Sequence, residues 1–455
     1  MIDLNNVDEL QINKDHQIKF KHFRKTIQGQ TFMKDDTDYE KVCGDRWDLN
    51  VVNTPIIIVK ALNENDVKET IKFSRDNKLK VVVKTTGHNN NSVTDGGVLL
   101  DLSLMKSISV NPNNQTVTVG GGCTLHDVDE ATSKYGLATP LGQISSVGIG
   151  GFSSGGGFGH LTKLHGLSCD NLLECIIITA DGESKLCNNE TNQDLFWAIR
   201  GAGGFVGVIV SFTFKCYPIS NVVVGTFIYN IDGTNNAKNA LIEVGTRHLN
   251  TSDPLVYAIN INPGLPDHVM VKVLYFGDSS IGESLVQQFQ NSTNPTTSSI
   301  SIDTPFTKIQ WEFDGIIAPG KYYQEGPLLK STITPAIADA LLQTISTRNT
   351  QTFSSIIVTE LGGKVNMVHQ NETAFPVRNS TFNIFISSVI FTPNLEQPLK
   401  EWTKNSINLF KDYIAGEYIN TSYSTDMKLI FKENFDRLIK VKDQYDPNNI
   451  FRSLK

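Results

Sequence analysis

A glycine-dense run between residues 142 and 166 constrains this chain more than any other feature. Its centre reads Gly148-Ile149-Gly150-Gly151-Phe152-Ser153-Ser154-Gly155-Gly156-Gly157-Phe158-Gly159. Glycine loses more backbone freedom on ordering than any other residue. Such density is expected where backbone must approach something flat or phosphorylated, and the flanking Val147 and Leu161 argue against a free loop. No glycine run satisfies G-x-G-x-x-G and no Walker A motif occurs, which sets aside nicotinamide-only and P-loop chemistry. Gly151-Phe152-Ser153-Ser154-Gly155 does match the G-x-S-x-G elbow of serine hydrolases. That elbow needs a strand before the serine and a helix after it. Here glycines follow, and glycine is a poor helix former, so a hydrolase is disfavoured.

A second segment, Lys84-Thr85-Thr86-Gly87-His88-Asn89-Asn90-Asn91-Ser92, follows a strand-like run. Small and hydroxyl residues around a glycine leave successive backbone N–H groups free to converge on an anion, and a diphosphate is the natural guest. A polar surface turn is the alternative reading.

Around these segments the pattern predicts a βαβ-like unit: strand 55–60, helix 64–77 with Asn63 as N-cap and Asp66 near its positive end, and strand 80–84. Short strands follow at 98–102, 107–110 and 116–120, then a helix at 125–135 ended by Gly136. Asp181-Gly182 predicts a hairpin between 173–179 and 183–186, ahead of a helix at 192–200 and a buried strand at 207–215. Beyond 220, strands at 222–231, 255–261, 268–276, 354–361 and 381–391 alternate with helices at 237–248, 281–290, 334–347 and 395–414. That texture suits an antiparallel sheet covered by helices on one face.

Charge narrows the partners. The net charge is -7, with no basic stripe, which argues against nucleic acid. The apolar runs are strand-sized, which argues against a membrane span. The six cysteines show neither CxxC nor metal spacing, so free thiols and no metal are expected. The start of the chain lacks a signal-peptide pattern, which with the thiols gives a cytoplasmic expectation.

Taken together, these segments resemble the berberine-bridge-enzyme-like branch of the vanillyl-alcohol-oxidase flavoproteins, whose first domain is the PCMH-type FAD-binding fold. The resemblance runs from about Trp47 to Arg452. The family's R-S/G-G-G-H-S loop is similar to Lys84–Asn89, and its glycine segment to 147–161 followed by Gly166-Leu167-Ser168-Cys169-Asp170-Asn171. Asp194-Leu195-Phe196-Trp197-Ala198-Ile199-Arg200-Gly201, Ala374-Phe375-Pro376-Val377-Arg378 and Tyr445-Asp446-Pro447-Asn448-Asn449-Ile450-Phe451-Arg452 complete the set.

The resemblance implies an α+β, two-domain protein. An FAD-binding domain spans 1–219 and is completed by 426–455; a substrate domain spans 220–425. FAD contacts are expected from Lys84, Thr85, Thr86, Gly87, His88, Asn89, Ser92, Gly142, Val147, Gly148, Gly151, Gly155, Gly156, Gly159, His160, Gly207, Val208, Val210, Tyr418, Asn420 and Asn448. His88 inherits the bond to the flavin 8α-methyl. Many relatives add a thioether from a cysteine in G-x-C-P-x-V-G; this chain has Ile144 there, so a single covalent link is expected. Val147 takes the place of the residue that gates oxygen, and valine there resembles the oxidases. The family's Tyr-x-Asn-Tyr reads Tyr418-Ile419-Asn420-Thr421, making Tyr418 the candidate base, with Tyr423 able to swing in for the missing tyrosine. Phe385 stands where relatives often carry Gln or Glu, while His369 and Glu360 are read as mainly structural. The implied activity is oxidation of an alcohol, sugar or secondary-metabolite hydroxyl, a small-molecule substrate, with molecular oxygen reduced to hydrogen peroxide. The alternatives are a dehydrogenase using another acceptor and a flavin-binding protein without turnover.

Overall fold

The computed structural model describes residues 14–50, 54–89, 92, 94–219, 221–250, 253–348 and 353–454, with side chains from Lys19 onward. The readings made on the first residues of the chain and on Asn90 and Asn91 lie outside the described residues.

The first unit is a four-stranded sheet in which Ile57–Lys60 and Val81–Lys84 both pair in parallel with Val98–Asp101, which lies between them. Helix Glu64–Asp76 makes the crossover. Asn63 caps it by accepting from the Asp66 N–H, and Val67 and Ile71 are fully buried. The predicted βαβ packing is thus present, with a third strand inserted at its centre. Beside it stands a five-stranded antiparallel sheet ordered Ile108–Asn111, Thr116–Gly120, Val208–Lys215, Leu172–Ile178, Ser184–Asn188. Its last two strands form the hairpin anticipated at Asp181-Gly182, with Gly182 at φ +80°. The two sheets close on one core, where Ile57, Val59, Val98 and Leu100 meet Ile178, Val208 and Val210. The C-terminal helix Phe435–Tyr445 places Leu438 and Val441 in a second core with Leu195, Phe196 and Ile199.

The second unit is a nine-stranded antiparallel sheet running across from Thr297–Thr304, next to Val222–Asn230, to Ile414–Gly416. Side chains alternate across a strand. Phe227, Ile259, Val271, Val358 and Ile384 point into the core under helices such as Asn236–Leu249 and Pro335–Ser346. Each large side chain buried there contributes about 1.5–3 kcal/mol. Alternate residues face the first unit, where Val222, Val256 and Leu274 pack on Ala138 and Leu161.

Three features depart from the sequence pattern. Strand Thr297–Thr304 has no apolar alternation because it is the solvated edge of the sheet and only its last residue is buried. The expected helix 395–414 ends at Asn408, and its last residues become a 3-10 turn, Lys411–Tyr413, and strand Ile414–Gly416. The glycine run contains a short helix, Ile149–Ser154, which ends as Gly155 and Gly156 begin. Ser153 lies inside it, buried against the Ser168 hydroxyl at 2.8 Å, and is no nucleophile elbow.

Candidate flavin site

Four chain segments converge where the two units face each other. The loop after strand Val81–Lys84 enters at Thr85, whose hydroxyl donates to the Gly121 carbonyl at 3.1 Å while its side chain fills the space a Cβ on Gly148 would need. Gly87 sits at φ +72°, a conformation that favours glycine, with Arg46 packed against it. The Asn89 amide donates to the Asn420 carbonyl at 3.0 Å. The Asn420 amide in turn donates to the Gly151 carbonyl at 3.2 Å and to the Tyr418 phenol at 2.8 Å. A Cβ on Gly155 would collide with that amide, and one on Gly156 with Phe375. The pyrophosphate-type loop, the glycine run and the C-terminal Tyr-x-Asn segment therefore form one connected structure.

Most of the 35 glycines are explained by a close protein neighbour or a positive φ. Gly151 and Gly204 have neither; a Cβ there would meet nothing within 4 Å. Gly151 is exposed at the mouth of the site, on the helix that begins beside Thr85. An unhindered glycine there leaves room for a flat group to lie against backbone, which fits an isoalloxazine.

His88 is half-buried, its imidazole stacked on Trp47 with ring centroids 4.3 Å apart and its Nε2 3.1 Å from the Ser146 hydroxyl. Crowding around the ring pushes its pKa down to about 3, against a smaller opposing pull from the Ser146 backbone, so the imidazole stays neutral. Ile144 and Val147 lie in the same short segment as Ser146, and the Val147 N–H closes that turn on the Ile144 carbonyl at 3.1 Å. Tyr418 is buried, packed against Phe158 with centroids 4.7 Å apart. Its phenol oxygen also accepts the Gly157 N–H at 3.2 Å. Burial raises the Tyr418 pKa; the Asn420 and Gly157 donors pull it down but do not outweigh that.

The remaining anticipated residues have protein partners of their own. The Lys84 ammonium is buried in an ion pair with Asp101 at 2.9 Å. Ser92 closes the loop internally, donating to the Asn89 carbonyl at 2.6 Å. Val208 and Val210 point into the core between the two sheets, Gly207 opens their strand against the Ile178 carbonyl, and the Val210 carbonyl accepts the Gly121 N–H at 3.0 Å. Gly142 packs on Phe152, Gly159 on the Leu141 carbonyl. His160 is fully buried, its Nδ1 3.4 Å from the Gln143 amide. Asn448 is exposed, beside the Ile450 segment that caps the start of strand Val81–Lys84, at the opposite end from His88. Tyr423 stacks on Tyr323, whose ring joins Ile390 and Leu399 in a small cluster, while Tyr322 and Gln324 point to the other face of the strand. Glu360 accepts from Lys163 and His248, and His369 lies in a surface turn.

The sequence reading did not anticipate Trp47 and Ser146 on His88, nor Gly326 beside Thr421, Phe385 and Asn383. These contacts join residues remote in sequence and carry no local motif.

The comparisons with known proteins agree with this geometry. Residues 55–188 match the model of an FAD binding domain, and residues 418–454 the berberine and berberine-like model. An FAD-linked oxidoreductase of Dictyostelium discoideum is 35% identical over 434 residues, covering 95% of each chain. The chain belongs to the berberine-bridge-enzyme-like FAD-linked oxidoreductases. Within that family, BBE-like 1 of Physcomitrella patens superposes with a TM-score of 0.85, at 22% identity, over 96% of this chain and 99% of its own, which establishes the two-domain fold. The (R)-6-hydroxynicotine oxidase of Paenarthrobacter nicotinovorans is 34% identical over 205 residues, 45% of this chain and 44% of its own. This berberine-bridge-enzyme-like chain is thus an enzyme whose cofactor is FAD.

Proposed function

We propose that the chain holds FAD through a single covalent bond at His88 and oxidises the hydroxyl of a small organic substrate, with molecular oxygen as electron acceptor. The carrying observation is the neutral His88 imidazole set against the 144–147 segment, in which the only side chain at the thioether position is Ile144. A saturated hydrocarbon forms no thioether, and a neutral imidazole is the nucleophilic form. When bound, FAD supplies an acceptor for hydride and passes the electron pair to oxygen. Thr85, Thr86, Gly87 and the Gly148–Gly151 turn hold the cofactor's phosphates and ring against backbone. Tyr418 takes the substrate hydroxyl proton, with the Gly157 N–H and Asn420 amide stabilising the phenolate. Val147 leaves the oxygen path open, which favours an oxidase over a dehydrogenase. Phe385 and Thr421 give the substrate side a less polar wall.

The experiment is anaerobic titration of the yellow protein with sugars and phenolic alcohols, followed by readmission of air. Bleaching by one of them, and one hydrogen peroxide per recolouring, supports the oxidase. Bleaching that air does not reverse, but an artificial acceptor does, supports the dehydrogenase. No bleaching by any of them would count against oxidation of such hydroxyls.

A further inference from the structure

We infer that Trp47 and Ser146 are the positioning residues for attaching flavin to His88, Trp47 by fixing the plane of the imidazole and Ser146 by holding its Nε2 edge. The inference rests on the covalent reading above. Trp47 is itself held from both units: its N–H donates to the Thr86 carbonyl at 3.1 Å, and its carbonyl accepts the Gly320 N–H at 3.1 Å. Its ring lies nearly parallel to His88, at 16°, and to Tyr322, at 19° and a centroid distance of 4.6 Å. Three rings from three segments are thereby stacked at the end of the site where the bond forms.

Ser146 completes the arrangement. Its hydroxyl lies 3.1 Å from Nε2, and the Ser146 backbone also hydrogen-bonds the ring. A neutral imidazole carries one proton. With that proton on Nε2 and given to the Ser146 oxygen, Nδ1 is left with a free lone pair. In forming the bond, Nδ1 donates that pair to the 8α-carbon. The imidazole releases its Nε2 proton, the methyl releases one proton, and the electron pair passes to dioxygen, giving hydrogen peroxide. Trp47 is buried between His88 and Tyr322, whereas Ser146 is exposed and no packing requires a serine there.

The test follows covalent incorporation in the full chain. Protein purified with its flavin only partly loaded is incubated aerobically with added FAD and acid-precipitated at intervals, and flavin in the pellet is read against flavin in the supernatant. Trp47→Ala is expected to bind FAD yet incorporate it on the order of 10²-fold more slowly, the scale for a misplaced reacting group. Ser146→Ala should slow it roughly tenfold, the equivalent of one hydrogen bond. Trp47→Phe and Ser146→Thr, which keep the stack and the hydroxyl, should restore wild-type rates. Wild-type rates in both alanine variants would overturn the inference while leaving the covalent bond in place. A wild-type protein that binds FAD but never colours the pellet would overturn both. Should Trp47→Ala fail to fold, Ser146→Ala against Ser146→Thr decides, because that exposed side chain supports no core.

Discussion

The phenol of Tyr418 receives hydrogen bonds from the Gly157 N–H at 3.2 Å and the Asn420 amide at 2.8 Å, within a buried setting that opposes its ionisation. Each donor stabilises the phenolate, so removing one raises the pKa further and shrinks the fraction able to accept a proton at a given pH. Asn420→Ala is therefore expected to move the acid limb of the rate of flavin reduction upward by roughly one pH unit. Rapid-mixing spectroscopy across pH measures this, and an unmoved limb would remove Tyr418 as base. Tyr418 and Asn420 were legible in the sequence because they are two positions apart in one motif. The meeting of Thr421 with Gly326, Phe385 and Asn383 was not, because it depends on how strands from distant segments register.

At the scale of elements, the glycine run separates into residues that touch protein and one, Gly151, whose Cβ position is open. Gly151 lies within helix Ile149–Ser154 with open space around its Cβ position. Gly151→Ala should leave the melting of the flavin-free chain unchanged or raise stability by up to about 1 kcal/mol, since alanine is the better helix former. Its flavin-to-protein ratio should nonetheless fall; full loading would show that the ring does not lie there. Gly201→Ala should do the reverse, because φ is +134° and the new Cβ would stand 2.2 Å from the Phe375 nitrogen. The bidentate pair of Arg378 on Asp170, at 2.8 and 2.7 Å, ties the segment after Ala374-Phe375 to the turn after the glycine run. Both side chains are buried, so Arg378→Ala strands a carboxylate and should cost about 3–5 kcal/mol in urea unfolding. A loss under 1 kcal/mol would mean that Asp170 finds water or protonates instead. The sequence showed both glycine and arginine blocks, but not which glycines touch protein, since that is a property of the packed backbone.

For the whole molecule, pH dependence follows from groups buried between its layers. Burial, helped by Lys272 and Lys215 respectively, lowers His160 to about 3 and His165 to about 4. Both are near 6.5 when unfolded. The unfolded chain therefore binds more protons below that value, and stability is lost as pH falls from about 6.5 toward 4. Asp129 acts the other way. Burial raises it to about 7, so its contribution is full below the unfolded carboxylate range and is lost as pH rises through 7. With His88, also lowered to about 3, three histidines outweigh one aspartate, and the melting temperature is expected to be lower at pH 5 than at pH 7, more steeply so in Asp129→Asn; a flat profile in both would contradict this. The central claim, a histidyl flavin at His88, is tested most directly by acid precipitation of the purified protein and reading the visible spectrum of the redissolved pellet. Yellow retained in the pellet, and moved to the supernatant in His88→Ala, is the predicted result. Yellow in the wild-type supernatant, or retained in the His88→Ala pellet, would contradict it.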